Sequence, residues 1–278
     1  MGLGGRRGGA PLTRAALCVI MGGMEASFLG VPGVDAWVFG GLTAFAFATA
    51  FIMSTIGTAG GLILLAAMAI FFAPAVLIPV HTVVMLGSSS SLAAMRWRYV
   101  LRGTLLPFAL GAVLGALAGA QIFVTLSAVV LQGILGVAIL ALAWMPAFAR
   151  FGPERGRFAV LGFAMTFLGI FISATGSLLA PFVAGATEDR RYMPPTLSFL
   201  MSIVHVAKLA AFGALGIGVG AYLPLIGAMI AVSIAGNYVG SRTLDRVPER
   251  AFRIVFRIVV TALGIRLLWA TATDAGLV

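Results

Sequence analysis

Apolar runs long enough to cross a lipid bilayer follow one another along this chain, and polar positions are confined to short gaps between them. About 20 apolar residues span the hydrocarbon core as a helix. In order, the runs predict a first helix over 15–30, a turn over 31–35 holding Pro32 and Gly33, and a span over 37–56. A shorter apolar segment over 61–72 follows, then a turn over 73–79, then spans over 80–95, 104–124 and 128–148. The later part repeats this plan: 158–172, a short segment ending at 186, a helix opened by Pro194 and Pro195, then 222–238 and 252–270. The pattern predicts an all-α, polytopic integral membrane protein of about 8–11 transmembrane or half-membrane helices.

Two of the runs are interrupted. One carries Gly57, Thr58, Ala59, Gly60 and Gly61 at its centre, the other Ser173, Ala174, Thr175, Gly176 and Ser177. Small residues loosen a helix, and glycine admits the dihedrals that a break needs. In hydrocarbon, the freed backbone groups need protein or a polar cavity as partner. The two stretches stand at one offset of 116 residues (163 − 47): Phe47 with Phe163, Ile56 with Ile172, Gly60 with Gly176, Leu62 with Leu178. The same register carries on through Pro79 and Pro195, Met85 and Met201, and Gly111-Ala112 and Gly227-Ala228. It predicts a duplicated half. The chain then divides into a basic segment with an extra helix at 1–36, a first half at 37–157, a second at 158–270 and a tail at 271–278.

Composition removes the soluble alternatives. The chain is 61% hydrophobic and 9% charged, with mean hydropathy +1.12, where a soluble domain carries about 25% charged residues. The 36 glycines suit close helix packing, and Gly111, Gly115 and Gly119 read as a packing stripe. The net charge of +10 comes from 18 basic residues, all arginine except Lys208. They gather in the N-terminus and at 96–102, 150–157, 188–191 and 242–250. That is the distribution of cytoplasmic loops, not of a nucleic-acid surface. It places the N-terminus in the cytoplasm, with Arg6, Arg7 and Arg14 ahead of a retained helix rather than a cleaved signal.

All five basic regions fall on one side if each half passes the membrane an odd number of times, which makes the halves inverted repeats. Five crossings per half satisfy this; eight full spans with two re-entrant segments are the other count that the hydropathy allows. One cysteine, Cys18, leaves no intramolecular disulfide and no metal-ligand spacing. No cofactor is implied.

Each break starts a new helix within the membrane. Helix N-termini present unpaired N–H groups and a partial positive charge, so they attract anions. Thr58, Thr175 and Ser177 are residue types that cap such ends or donate to an oxyanion; the alternative is that Gly60, Gly61 and Gly176 only allow close packing. Lys208 lies fourteen positions into the helix starting near Pro194 (208 − 194), where a lysine costs about 3 kcal/mol on insertion scales. His205, three positions earlier, shares its face. Beside a cation, a titratable donor suits an anion and a coupled proton; the alternatives are snorkelling of Lys208 and a local bond of His205.

Ser89 falls opposite His205 by the offset, within a run of four serines at 88–91 that spreads around its helix. One or two of these are expected at the site, the others in contacts between helices. His81 stands near an expected helix start, where it is interfacial or proton-carrying. Glu25 and Asn237 are weaker candidates, and the loop arginines read as topology determinants.

At these residues the sequence resembles the TauE/SafE family of sulfite exporters, over about 37–270. The resemblance rests on the break at 56–61, its counterpart at 174–178, the polar span from Ser88 to Arg98, and the Gly-Ala pairs at Gly111 and Gly227. The chain departs from the commoner pattern where Gly60-Gly61 stands without a third glycine and proline, and where Ser177 replaces glycine. The resemblance implies a bacterial inner-membrane exporter of sulfite or organosulfonates, with a small anion and the bilayer as partners. A homodimer is one assembly open to it. The absence of a phosphate-binding loop speaks against direct ATP drive, and the absence of a G-x-S-x-G elbow against a serine hydrolase. An anion channel, an intramembrane enzyme and a non-transporting scaffold are the rival readings.

Overall fold

The computed structural model describes residues 27–56, 60–144, 155–173, 175–242 and the helical residues 258, 261–262, 264–266, 268–269 and 271–273. Thr58, Cys18, Glu25 and most of the span expected at 252–270 therefore lie outside the described residues. Ahead of the first helix, residues 27–34 form a tight turn in which Leu29, Gly30 and Gly33 have positive φ. The helix expected to run as far as Gly30 does not include 27–30. Two glycines around Pro32 favour a turn there. Asp35 then caps α1 (Ala36–Ile56): its Oδ1 accepts the Val38 N–H at 2.7 Å.

The chain continues through α2 (Gly60–Met68), α3 (Pro74–Met95), α4 (Leu105–Phe123) and α5 (Ala128–Trp144). Then come α6 (Arg155–Ile172), α7 (Gly176–Gly185), α8 (Met193–Ala214) and α9 (Leu223–Arg242). Among the described residues, helices are the only extended elements, and five of them are long and apolar enough to cross a membrane. The turn expected at 73–79 is instead mostly helix. Pro74 occupies the first turn of α3, where a missing N–H costs nothing, and Pro79 is carried inside the helix. α8 likewise opens on Pro194 and Pro195.

The two breaks fall in one register: α1 ends at Ile56 and α6 at Ile172, while α2 starts at Gly60 and α7 at Gly176, all 116 apart (172 − 56; 176 − 60). With 9 and 10 residues, α2 and α7 are about 15 Å long, half the hydrocarbon core. Neither extends the helix before it. Gly60 lies against Thr49 and Met53 of α1, so the chain turns back there. α7 runs back to Ala186, which shares a pocket with Phe158 near the start of α6. Each break is the tip of a helical hairpin.

Helix directions follow from side-chain neighbours. Gly236 and Gly240 of α9 lie against Phe47 and Phe51 of α1, so these helices run parallel. Gly111, Gly115 and Gly119 of α4 lie against Ala159, Phe163 and Phe167 of α6, a second parallel pair. α3 and α8 are antiparallel: Ser90 meets Ser202, Trp97 packs on Phe199, and the Leu101 N–H reaches Thr196 just beyond. Arg96, after the end of α3, donates to the Ser241 carbonyl at the end of α9 at 2.7 Å, capping it. α3 and α9 thus end together, and α4, α6 and α8 start at that same end. Hence α1 runs towards this end and α6 away from it. The loop holding Arg98 and Arg102 also lines a pocket with Tyr192, so the basic loops at 96–102 and 188–191 meet here.

α4 shows how lipid shapes the packing. Leu106, Leu110, Leu114 and Leu117 point outward, more than half exposed, while Gly111, Gly115, Ala116 and Gly119 point inward. Small residues inside and leucine outside is the arrangement of a membrane bundle, where lipid removes the hydrophobic penalty for an exposed leucine and close backbone contact supplies the attraction.

Candidate functional site

The tips of the two hairpins meet at one side chain. His81 Nε2 lies 3.0 Å from the Gly61 carbonyl, just past the first tip, and Nδ1 lies 3.1 Å from Ser173 Oγ at the second. His81 is fully buried. The expectation of an interfacial His81 is corrected, because α3 starts at Pro74 and carries the residue two turns inward. Ser173 is itself unusual: a non-glycine residue at φ 59°, in the left-handed region that side chains disfavour. Its hydroxyl accepts from Lys208 Nζ at 2.9 Å and stands 3.3 Å from Thr82 Oγ1.

A narrow cavity lies beside this junction. α1 and α2 line it with Met53, Gly61 and Leu62, α3 with His81, Met85 and Ser89, and α8 with Leu197, Ser198, Met201 and His205. The second tip closes it with Ser173, Thr175 and Gly176. The α3 stripe at 81, 85 and 89 and the α8 stripe at 197, 201 and 205 stand at the 116 offset position for position (197 − 81). Space for the centres of water-sized groups amounts to ≈ 30 Å³, room for a few such groups.

His205 is the outstanding group in it. It is 3% exposed, and neither ring nitrogen has a hydrogen-bond partner. A buried polar atom without a partner costs about 1–3 kcal/mol, so the position is set for something not held by the chain itself. Thr175 stands at the N-cap of α7 without spending its side chain on a capping bond, and the first N–H groups of α7 have no intrahelical acceptor. Hydroxyls, an unpartnered imidazole and a helix N-terminus therefore converge on one small space. Together they can donate hydrogen bonds to the oxygens of a small anion.

The structure thus brings together His205, Ser89, Thr175, Gly176, Gly61 and His81. Lys208 is adjacent but does not line the cavity; Ser173 stands between. Gly60 packs against the Thr49 carbonyl, and Ser177 Oγ is buried without a partner outside the cavity lining. Of the four serines, only Ser89 lines the cavity. Ser88 and Ser91 receive the Asn237 amide of α9 at 3.2 and 2.9 Å, and Ser90 bonds Ser202 of α8 at 3.2 Å. Asn237 is thereby a tie between helices. Ser173 was not among the expected site residues. The available signal was its offset partner Gly57 (173 − 57), since a position that holds glycine in one half invites a left-handed conformation in the other.

The family model described as Sulfite exporter TauE/SafE matches this sequence over residues 42–267. Neither a curated protein nor a solved structure matches it.

Proposed function

The chain belongs to the sulfite exporter TauE/SafE family, and from that premise we propose that it is a secondary transporter exporting small sulfur-containing anions, sulfite and organosulfonates. Export proceeds by alternating access between the inverted halves 37–157 and 158–270, in the inner membrane with a cytoplasmic N-terminus. The observation that carries this reading is the cavity between the hairpin tips, where His205 is buried with both nitrogens free. His205, Thr175 and Ser89 hold the anion's oxygens, the α7 N-terminus at Gly176 contributes N–H groups, and Lys208 supplies positive charge from behind Ser173. Gly60, Gly61 and Ser177 support the two tips. The opposed directions of α1 and α6 support the inverted arrangement, and the gathering of basic loops at one end supports a cytoplasmic face there. The narrowness of the cavity favours sulfite over a bulky sulfonate in this conformation.

The test is thermal stabilisation of the purified protein by sulfite, sulfate, sulfoacetate, carboxylates and phosphate. A ligand at 100 times its Kd adds about 2.7 kcal/mol to the folded state. Sulfite is expected to give that response in the wild type and a smaller one in Thr175→Val, which keeps the shape and loses the hydroxyl. Wild-type protein indifferent to every sulfur anion would overturn the reading.

A further inference from the structure

Lys208, Ser173, His81 and the Gly61 carbonyl form an unbroken hydrogen-bonded line of 2.9, 3.1 and 3.0 Å steps. The donors along it follow from simple accounting. A carbonyl only accepts, so His81 Nε2 carries a proton and gives it to Gly61. An ammonium only donates, so Ser173 Oγ accepts from Lys208. Thr82 Oγ1 already lies 2.6 Å from the Ile78 carbonyl and gives its proton there. Ser173 therefore keeps one proton of its own, with His81 Nδ1 as the nearer acceptor.

The surroundings leave this line electrically isolated. α1, α2, α3, α4, α5, α7, α8 and α9 hold no aspartate or glutamate, and α6 carries only Arg155 and Arg157 at its far start. The titratable groups facing the line are His205 and Lys208 from α8 and His81 from α3; α1, α2, α6 and α7 contribute none beside it. Lys208 thus has no carboxylate partner among the described residues, while a cation buried in the membrane needs a partner. The cavity that would hold one is on the His81 side of Ser173, not on the Lys208 side.

Building on the transport reading above, we propose that Ser173 relays a proton from Lys208 to His81, so that positive charge enters the cavity when an anion occupies it and withdraws behind Ser173 when it empties. An N–H bond of Lys208 breaks as an O–H bond forms on Ser173. The hydroxyl's original proton passes to Nδ1 of His81. Nζ becomes neutral, the imidazole becomes a cation, and Nε2–H stays on Gly61. No side chain has to cross the cavity for the charge to arrive. The left-handed backbone at Ser173 is what holds its hydroxyl between the two bases.

The chain has two histidines, which makes the step visible. With ¹⁵N-histidine labelling, His205→Leu identifies the His81 signals. In the wild type, saturating sulfite is expected to change His81 Nδ1 from unprotonated to protonated. Ser173→Gly suits the same left-handed backbone and removes the hydroxymethyl group that bridges Lys208 and His81. It is expected to fold, to leave Nδ1 unprotonated in sulfite, and to bind sulfite at least tenfold more weakly. If sulfite stabilises the wild type while Nδ1 stays unprotonated, or if Ser173→Gly keeps the change, the relay is wrong and the transport reading stands. If no sulfur anion stabilises the wild type, both fall together.

Discussion

His205→Leu should make the empty protein more stable and deaf to anions. The imidazole holds two nitrogens with no partner in a site that is 97% closed to solvent (100 − 3). Replacing it by an apolar group of similar size removes a penalty of roughly 1–3 kcal/mol. For a chain of this size that is a rise of about 2–4 °C in Tm per kcal/mol. Sulfite-dependent stabilisation and sulfite uptake into proteoliposomes should fall by at least tenfold in the same variant. A purely structural histidine behaves oppositely, because its loss lowers Tm. The opposed signs separate a binding group, kept at a cost in stability, from a packing group. A lowered Tm, or a retained sulfite response, would rule out His205 as an anion ligand.

Gly111→Val should prevent stable folding, whereas Gly227→Val should be nearly silent. These two glycines are partners in the repeat, 116 residues apart (227 − 111). A Cβ at Gly111 would run into the carbonyl oxygen of Ala159 in α6. That neighbour is backbone, so relief requires α4 and α6 to move apart along their whole parallel contact. Overpacking a core costs about 1–3 kcal/mol where side chains can adjust, and here the helix pair itself has to give. At Gly227 a Cβ meets nothing within 4 Å, and substitution at such a position stays within about 0.5 kcal/mol. Folded yield after detergent extraction and heating reads both. Equal behaviour of the two variants would mean that α4 does not rest on α6 through this glycine.

The same pair marks how far the sequence alone could be read. Apolar runs and sparse charge were enough to establish a polytopic helical membrane protein, because lipid leaves the backbone few alternatives to a helix. The places of the two breaks were legible, since clustered Gly, Ser and Thr weaken a helix locally and the effect needs no distant partner. The offset placed Ser89 opposite His205, and both face the cavity. A lone lysine deep in an apolar helix announced itself by its cost.

What remained hidden depends on which surfaces meet. Whether a glycine is a contact or a gap depends on the neighbouring helix, so Gly111 and Gly227 look alike in the chain and differ in the fold. The serine run looks uniform, yet α8, α9 and the cavity each claim different members of it. Whether the short segments crossed or turned back was open, because length and hydropathy are the same in either case; contacts of Gly60 with α1 and of Ala186 beside Phe158 decided for hairpins. His81 looked peripheral until Pro79 proved to lie inside a helix. Ser173 had no mark of its own beyond a glycine in the other half. Its importance comes from a left-handed backbone and from three polar side chains supplied by α3 and α8. Local sequence sets where helices form and fail. Only their packing decides which failed turn faces which buried base.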